Sequence, residues 1–84
     1  MSDWRTLRDL DGQGGRLKGT SFRAFKRLAP GWREARDFRV LDPARDRAEI
    51  EALRVAGRVY ASSRAIILLA PGAAQQILDA IREN

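Results

Sequence analysis

The sequence predicts an α+β domain with element order α-α-β-α-β-β-α around a small antiparallel sheet, spanning residues 1–84 as one unit. Three observations predict it. Lys18–Leu28 reads as an amphipathic helix, with Phe22, Phe25, Leu28 and Ala29 on one side and Thr20, Arg23, Lys26 and Arg27 on the other. Asp42-Pro43 marks a second helix start, because Asp is a preferred cap and Pro suits the first helical position. The apolar run Ile66–Leu69, stopped by Pro71-Gly72, reads as a strand buried on both faces.

The elements follow in chain order. Ser2 or Asp3 is placed to cap a first helix through about Leu10, with Trp4, Leu7 and Leu10 inward, until Asp11-Gly-Gln-Gly-Gly15 breaks it. Gly19 permits a tight turn, Thr20 or Ser21 is positioned to cap the second helix, and Pro30-Gly31 ends it. Asp37–Leu41 reads as a short strand with Phe38 and Val40 on one face. The helix begun at Asp42 runs to about Ala56, with Ile50, Leu53 and Ala56 inward, and stops at Gly57. Arg58–Ala61 and Ala65–Ala70 flank Ser62-Ser-Arg64 and are expected to form a hairpin. In the last helix Ala73, Ala74, Ile77, Leu78 and Ile81 share an arc of about 140°. A basic helix beside a hairpin makes a winged helix-turn-helix the nearest architecture. The stretch Asp11–Gly19 is long for a compact helix-turn-helix turn.

Composition removes many functions. With 84 residues the chain buries roughly 60% of its unfolded surface in one small core. It has no Cys and no His, which rules out disulfides and leaves neither a zinc site nor a Ser-His-Asp or Cys-His catalytic arrangement to expect. No metal, cofactor or enzymatic activity is expected. Glu49 and Glu51 are near neighbours on a helix but point about 200° apart, so they share no site. Gly14–Thr20 is no phosphate loop, because Lys18 precedes the second glycine and no buried strand comes before it. There is no apolar run of membrane-spanning length and no apolar signal region at the N-terminus, so a cytoplasmic, membrane-free protein is expected.

The charge is uneven. Net charge is +5, and residues 1–40 carry all of it: ten Lys/Arg against five Asp/Glu, with six of each in 41–84. Such a bias implies an anionic partner on one face, although an arginine-rich solvated surface produces the same count. Arg23, Lys26 and Arg27 fall within about 100° of one another on the helix. Arginine grips guanine O6 and N7 with paired hydrogen bonds, and lysine serves phosphate. Thr20 and Ser21 stand at a helix N-terminus that favours phosphate, and Arg16, Lys18 and Arg64 flank the approach. Double-stranded DNA is the expected partner. Arg23 and Arg27 lie nearest the base edges, and the others mainly hold phosphates. The expected role is a small sequence-specific transcriptional regulator, nucleoid-associated, with a homodimer on a two-fold site and the last helix as a candidate dimer surface. The alternative is a protein-binding regulator, an antirepressor or inhibitor docking through the basic face. RNA is a third reading. The aromatics could stack on bases, but core duty is the expectation for them.

Phe22-Arg-Ala-Phe-Lys-Arg27, Arg36-Asp-Phe-Arg-Val-Leu41, Ile50-Glu-Ala-Leu53, Leu68-Leu69-Ala-Pro-Gly-Ala73 and Ile77-Leu78 together resemble the phage antirepressor N-terminal domains of the Bro-N/KilA-N kind. The likeness covers roughly residues 19–78. It implies DNA binding in a phage or mobile-element regulatory setting, with Arg23, Lys26 and Arg27 at the basic-helix positions and Phe38 as the strand anchor. The family's Pro-aromatic hairpin signature is replaced here by Ala65-Ile-Ile67.

Overall fold

A computed structural model describes residues 3–61 and 65–83. The elements are β1 (Arg5–Thr6), α1 (Leu7–Gln13), α2 (Thr20–Leu28), a 3-10 turn (Ala29–Gly31), β2 (Phe38–Leu41), α3 (Arg47–Val55), β3 (Ile66–Leu69) and α4 (Pro71–Arg82). The α+β class holds, but the order differs from the expected one. The antiparallel sheet runs β1-β3-β2, with Thr6 opposite Leu68 and Val40 opposite Ile67.

The third strand is thus Arg5–Thr6, and Arg58–Ala61 forms no strand. The expected hairpin is absent because the polar groups of residues 58–60 are committed elsewhere. Arg58 donates to the Trp4 carbonyl and the Asp9 carboxylate, and its own carbonyl accepts from the Thr6 hydroxyl. Val59 drops into the core.

The first helix also starts later than expected. Its cap is Thr6, whose hydroxyl accepts from Asp9 N–H at 3.0 Å while the Asp9 carboxylate accepts from Thr6 N–H at 2.9 Å. This reciprocal capping box fixes the helix start on the end of β1. The Arg58 guanidinium, 2.7 Å from Asp9, completes the group. Burial pushes the Asp9 carboxyl up, but the Arg58 hydrogen bond and charge together with the Thr6 bonds outweigh it and hold the acid below its ordinary 3.8. The helix then continues past Leu10 to Gln13, which shortens the turn before α2 to Gly14–Gly19.

α3 begins at Arg47 rather than beside Pro43. Asp42 spends its carboxylate on the N–H groups of Ala44 and Arg45, closing a local turn. Asp46 takes the N-cap position and accepts from Asp42 N–H and Arg39. Gly57, at φ 70°, ends α3 as expected: Arg58 N–H reaches back to the Leu53 carbonyl at 2.9 Å, a left-handed C-terminal motif.

β3 is central and buried on both faces, as its sequence predicts. Ile67 and Leu69 join Leu10, Ala24, Phe25 and the α4 residues Ala73, Ala74, Ile77, Leu78 and Ile81 in the larger core. Ile66 and Leu68 face the smaller core of Leu41, Leu53 and Val59, capped by Ile50 and Trp4. The apolar arc of α4 is therefore consumed inside the domain and offers no dimer surface. No helix among the described residues is long and apolar enough to cross a membrane.

Gly14 lets α1 and α4 approach closely. A Cβ there would lie 2.6 Å from Ile81 Cδ1, although the local φ of −84° suits any residue. Gly14→Ala is expected to destabilise by about 1–3 kcal/mol through overpacking alone. Chemical denaturation followed by circular dichroism measures it, and restoration by Ile81→Val identifies the clash as the cause.

Candidate nucleic-acid interface

The position of α2 is set by a carboxylate outside it. Gly19, at φ 92°, is the N-cap residue and has no side chain to cap with. Asp11 of α1 supplies the missing acceptor: its carboxylate takes Gly19 N–H at 3.2 Å and Ser21 N–H at 2.8 Å. The Tyr60 hydroxyl donates to the same carboxylate at 2.8 Å. Asp11 is 1% exposed, so three donors converge on one buried anion at the positive end of a helix. Desolvation, followed by the hydrogen bond to Asp11 and its negative charge, pushes the Tyr60 phenol up to about 12, so it remains a donor at any physiological pH.

This arrangement corrects the expected roles of Thr20 and Ser21. Neither caps the helix. Ser21 is fully buried, its N–H belongs to Asp11, and its Oγ has no hydrogen-bond partner among the described residues. Ser21 has no surface to offer a phosphate. Thr20 is half-buried. A buried carboxylate occupies the place a phosphate was expected to take.

Turning Ser21 inward also rotates the helix. Its core face is Ser21, Ala24, Phe25 and Leu28, not an arc through Phe22. Phe25 meets Phe38 edge-on at 5.2 Å and Trp32 at 6.2 Å. Phe22, expected in the core, is 42% exposed, its ring near-parallel to Phe25 at 6.5 Å and crossed by Lys26 Nζ at 5.6 Å.

The cations fall as the helical wheel places them. Arg23, Lys26 and Arg27 are all exposed, and α2 carries no acidic residue. Arg23 and Arg27 make no ion pair among the described residues, whereas Arg36, Arg39 and Arg58 each hold a carboxylate. The Arg23 guanidinium folds back over Gly19, its Nη1 3.6 Å from where a Cβ on that glycine would sit. Lys18 Nζ stands 5.1 Å from the Tyr60 ring centroid, and the Arg8 guanidinium 5.2 Å from it. Arg16 is half-buried in the turn, and Arg64 lies outside the described residues.

Sequence reasoning missed Arg8, Tyr60 and the outward turn of Phe22. Arg8 sits one turn before Asp11 in α1, and Tyr60 is 49 residues from the carboxylate it binds, so only the fold brings them together. With Leu7, Asp11, Lys18, Gly19 and Ala65, the rings of Phe22 and Tyr60 line a largely apolar cleft of about 330 Å³ at the edge of α2. Among the described residues no group of three or more Asp or Glu side chains is arranged to hold a metal. No family model matches the chain, and no curated protein sequence or solved structure does either.

Proposed function

We propose that this domain is a small DNA-binding regulator that presents α2 to the major groove. The observation carrying this reading is the face formed by Arg23, Lys26 and Arg27: three exposed cations, on a helix without a single acid, with no carboxylate pairing Arg23 or Arg27 among the described residues. Charges left unpaired on a rigid element are available to an anionic ligand without first breaking an ion pair. Support also comes from the α1–turn–α2 unit, where Asp11 locks the two helices together. Arg23 and Arg27 serve base edges. Arg16, Lys18 and Lys26, joined by Arg8, serve phosphates.

A wing is not part of this reading, because residues 58–61 form no strand. The resemblance to phage antirepressor domains extends the proposal to a phage or mobile-element setting. Each copy reads its site alone or through contacts other than α4, whose apolar arc is buried.

The test is salt dependence. Neutralising the four phosphates held by Arg8, Arg16, Lys18 and Lys26 gives a slope of log K against log salt of about −3.6 on duplex DNA. Fluorescence anisotropy with a labelled duplex at several salt concentrations measures it. A folded protein that ignores duplex DNA at low salt removes the reading.

A further inference from the structure

We infer that the cleft between α1, α2 and Tyr60 receives one unstacked base of the bound nucleic acid, with Phe22 as the stacking surface; the inference rests on the nucleic-acid reading above. The apolar groups that a fully stacked duplex offers in its major groove are single thymine methyls, far smaller than a cleft of about 330 Å³, so groove binding by α2 leaves most of this cleft unfilled. A base turned out of the stack is planar and apolar on its faces, and it carries a phosphate a few bonds away.

The cleft matches that combination. Its volume, about 330 Å³, is within the range of small-ligand pockets, and two of its lining residues among those described, Phe22 and Tyr60, are aromatic. Phe22 is 42% exposed at its edge, an unusual position for a phenylalanine on a helix whose neighbours outside the core are cations. The charges around the mouth complement a nucleotide. Arg23 folds over Gly19 on one side, Lys26 crosses the Phe22 ring, and Lys18 stands over Tyr60. Asp11, the one acid lining the cleft among the described residues, is buried and already accepts from Gly19, Ser21 and Tyr60, so it does not face an incoming phosphate as an open charge. A base stacked on Phe22 leaves its phosphates beside Arg23 and Lys26, where α2 already meets the backbone.

Three duplexes of one sequence test this: fully paired, carrying a single bulged 2-aminopurine, and carrying an abasic bulge at the same place. Anisotropy is expected to give roughly tenfold tighter binding to the bulged base than to the abasic bulge, with the 2-aminopurine emission rising on binding as the base leaves its quenching neighbours. Phe22→Ala is expected to erase both the preference and the rise while paired-duplex affinity stays within about twofold of the parent, since the exposed ring supports little of the core. Phe22→Leu, which keeps the apolar bulk but not the aromatic face, is expected to lose most of the preference as well. Equal affinity for bulged and abasic duplexes, with duplex binding intact, overturns the inference and leaves the proposed function standing. No binding to any of the three by folded protein overturns both. Entry of a leucine-bearing acidic peptide that displaces no DNA and is blocked by Phe22→Ala, with the bulged base ignored, overturns the inference and makes the occupant a protein segment.

Discussion

Asp11→Ala is expected to lower the stability of the domain by about 3–5 kcal/mol. Three donors lose their acceptor at once: the N–H groups of Gly19 and Ser21 and the hydroxyl of Tyr60. The site is 1% exposed, so water replaces the carboxylate poorly. Each buried donor left unsatisfied costs about 1–3 kcal/mol, and the loss of an N-terminal cap is part of that total rather than an addition to it. A small domain holds about 5–15 kcal/mol in all, so the variant is expected to be close to unfolding at 37 °C. Asp11→Asn keeps the volume but turns an amide NH2 toward donors, and is expected to lose about half as much. Tyr60→Phe removes one donor only and is expected to cost about 1 kcal/mol. Urea denaturation followed by circular dichroism orders the three. An Asp11→Ala protein within about 1 kcal/mol of the parent would mean that α2 is held by its core contacts alone.

The double change Arg23→Ala and Arg27→Ala is expected to weaken duplex binding by about 100- to 1,000-fold while leaving the melting temperature close to that of the parent. Both side chains are exposed, and neither ion-pairs with a carboxylate among the described residues, so folding loses little. Each contact to a base edge is worth about 1–3 kcal/mol of discrimination. Arg27→Lys separates the roles: a phosphate contact survives it, and a bidentate guanine contact does not. Chemical-shift mapping with duplex DNA is expected to move residues 16–27 together with Arg8 and Tyr60. A folded double variant that binds duplex as the parent does places the interface elsewhere.

What the sequence made legible is what depends on neighbours along the chain. The α4 arc follows the helical repeat and starts at a proline, and the five residues that the repeat places inward are the five that are buried. The β3 run is apolar on both faces and bounded by Pro71, so its central position was also readable. Surface charge needs no tertiary knowledge, and Arg23, Lys26 and Arg27 point outward as the wheel places them.

The misses have the opposite character. β1 is two residues long, too short for any alternation, and exists only because β3 pairs with it. Thr6 is the cap because Asp9 stands three residues later and completes the box, whereas the sequence reading places the cap at Ser2 or Asp3 and does not consider Thr6. Arg58-Val-Tyr-Ala61 has the composition of a strand, but Arg58 is drawn to Asp9 and Tyr60 to Asp11 across about fifty residues. Phe22 looked like core because it is aromatic and three residues before Phe25. The rotation that exposes it is decided by the bond from Ser21 to Asp11.

The position of β3 along the chain governs the order in which a ribosome can complete this molecule. β1, α1, α2 and β2 are all synthesised before residue 42, yet the strand that joins the two edges begins at Ile66 and the helix that closes the larger core begins at Pro71. Tyr60, the third donor to Asp11, also arrives late. A nascent chain halted near residue 60 has the basic helix but neither its central strand nor the apolar wall of Ala73, Ile77 and Ile81 behind it. The cationic face thus takes its final orientation only once β3 and α4 have both been translated, and a chain halted before them lacks the apolar wall that sets that orientation.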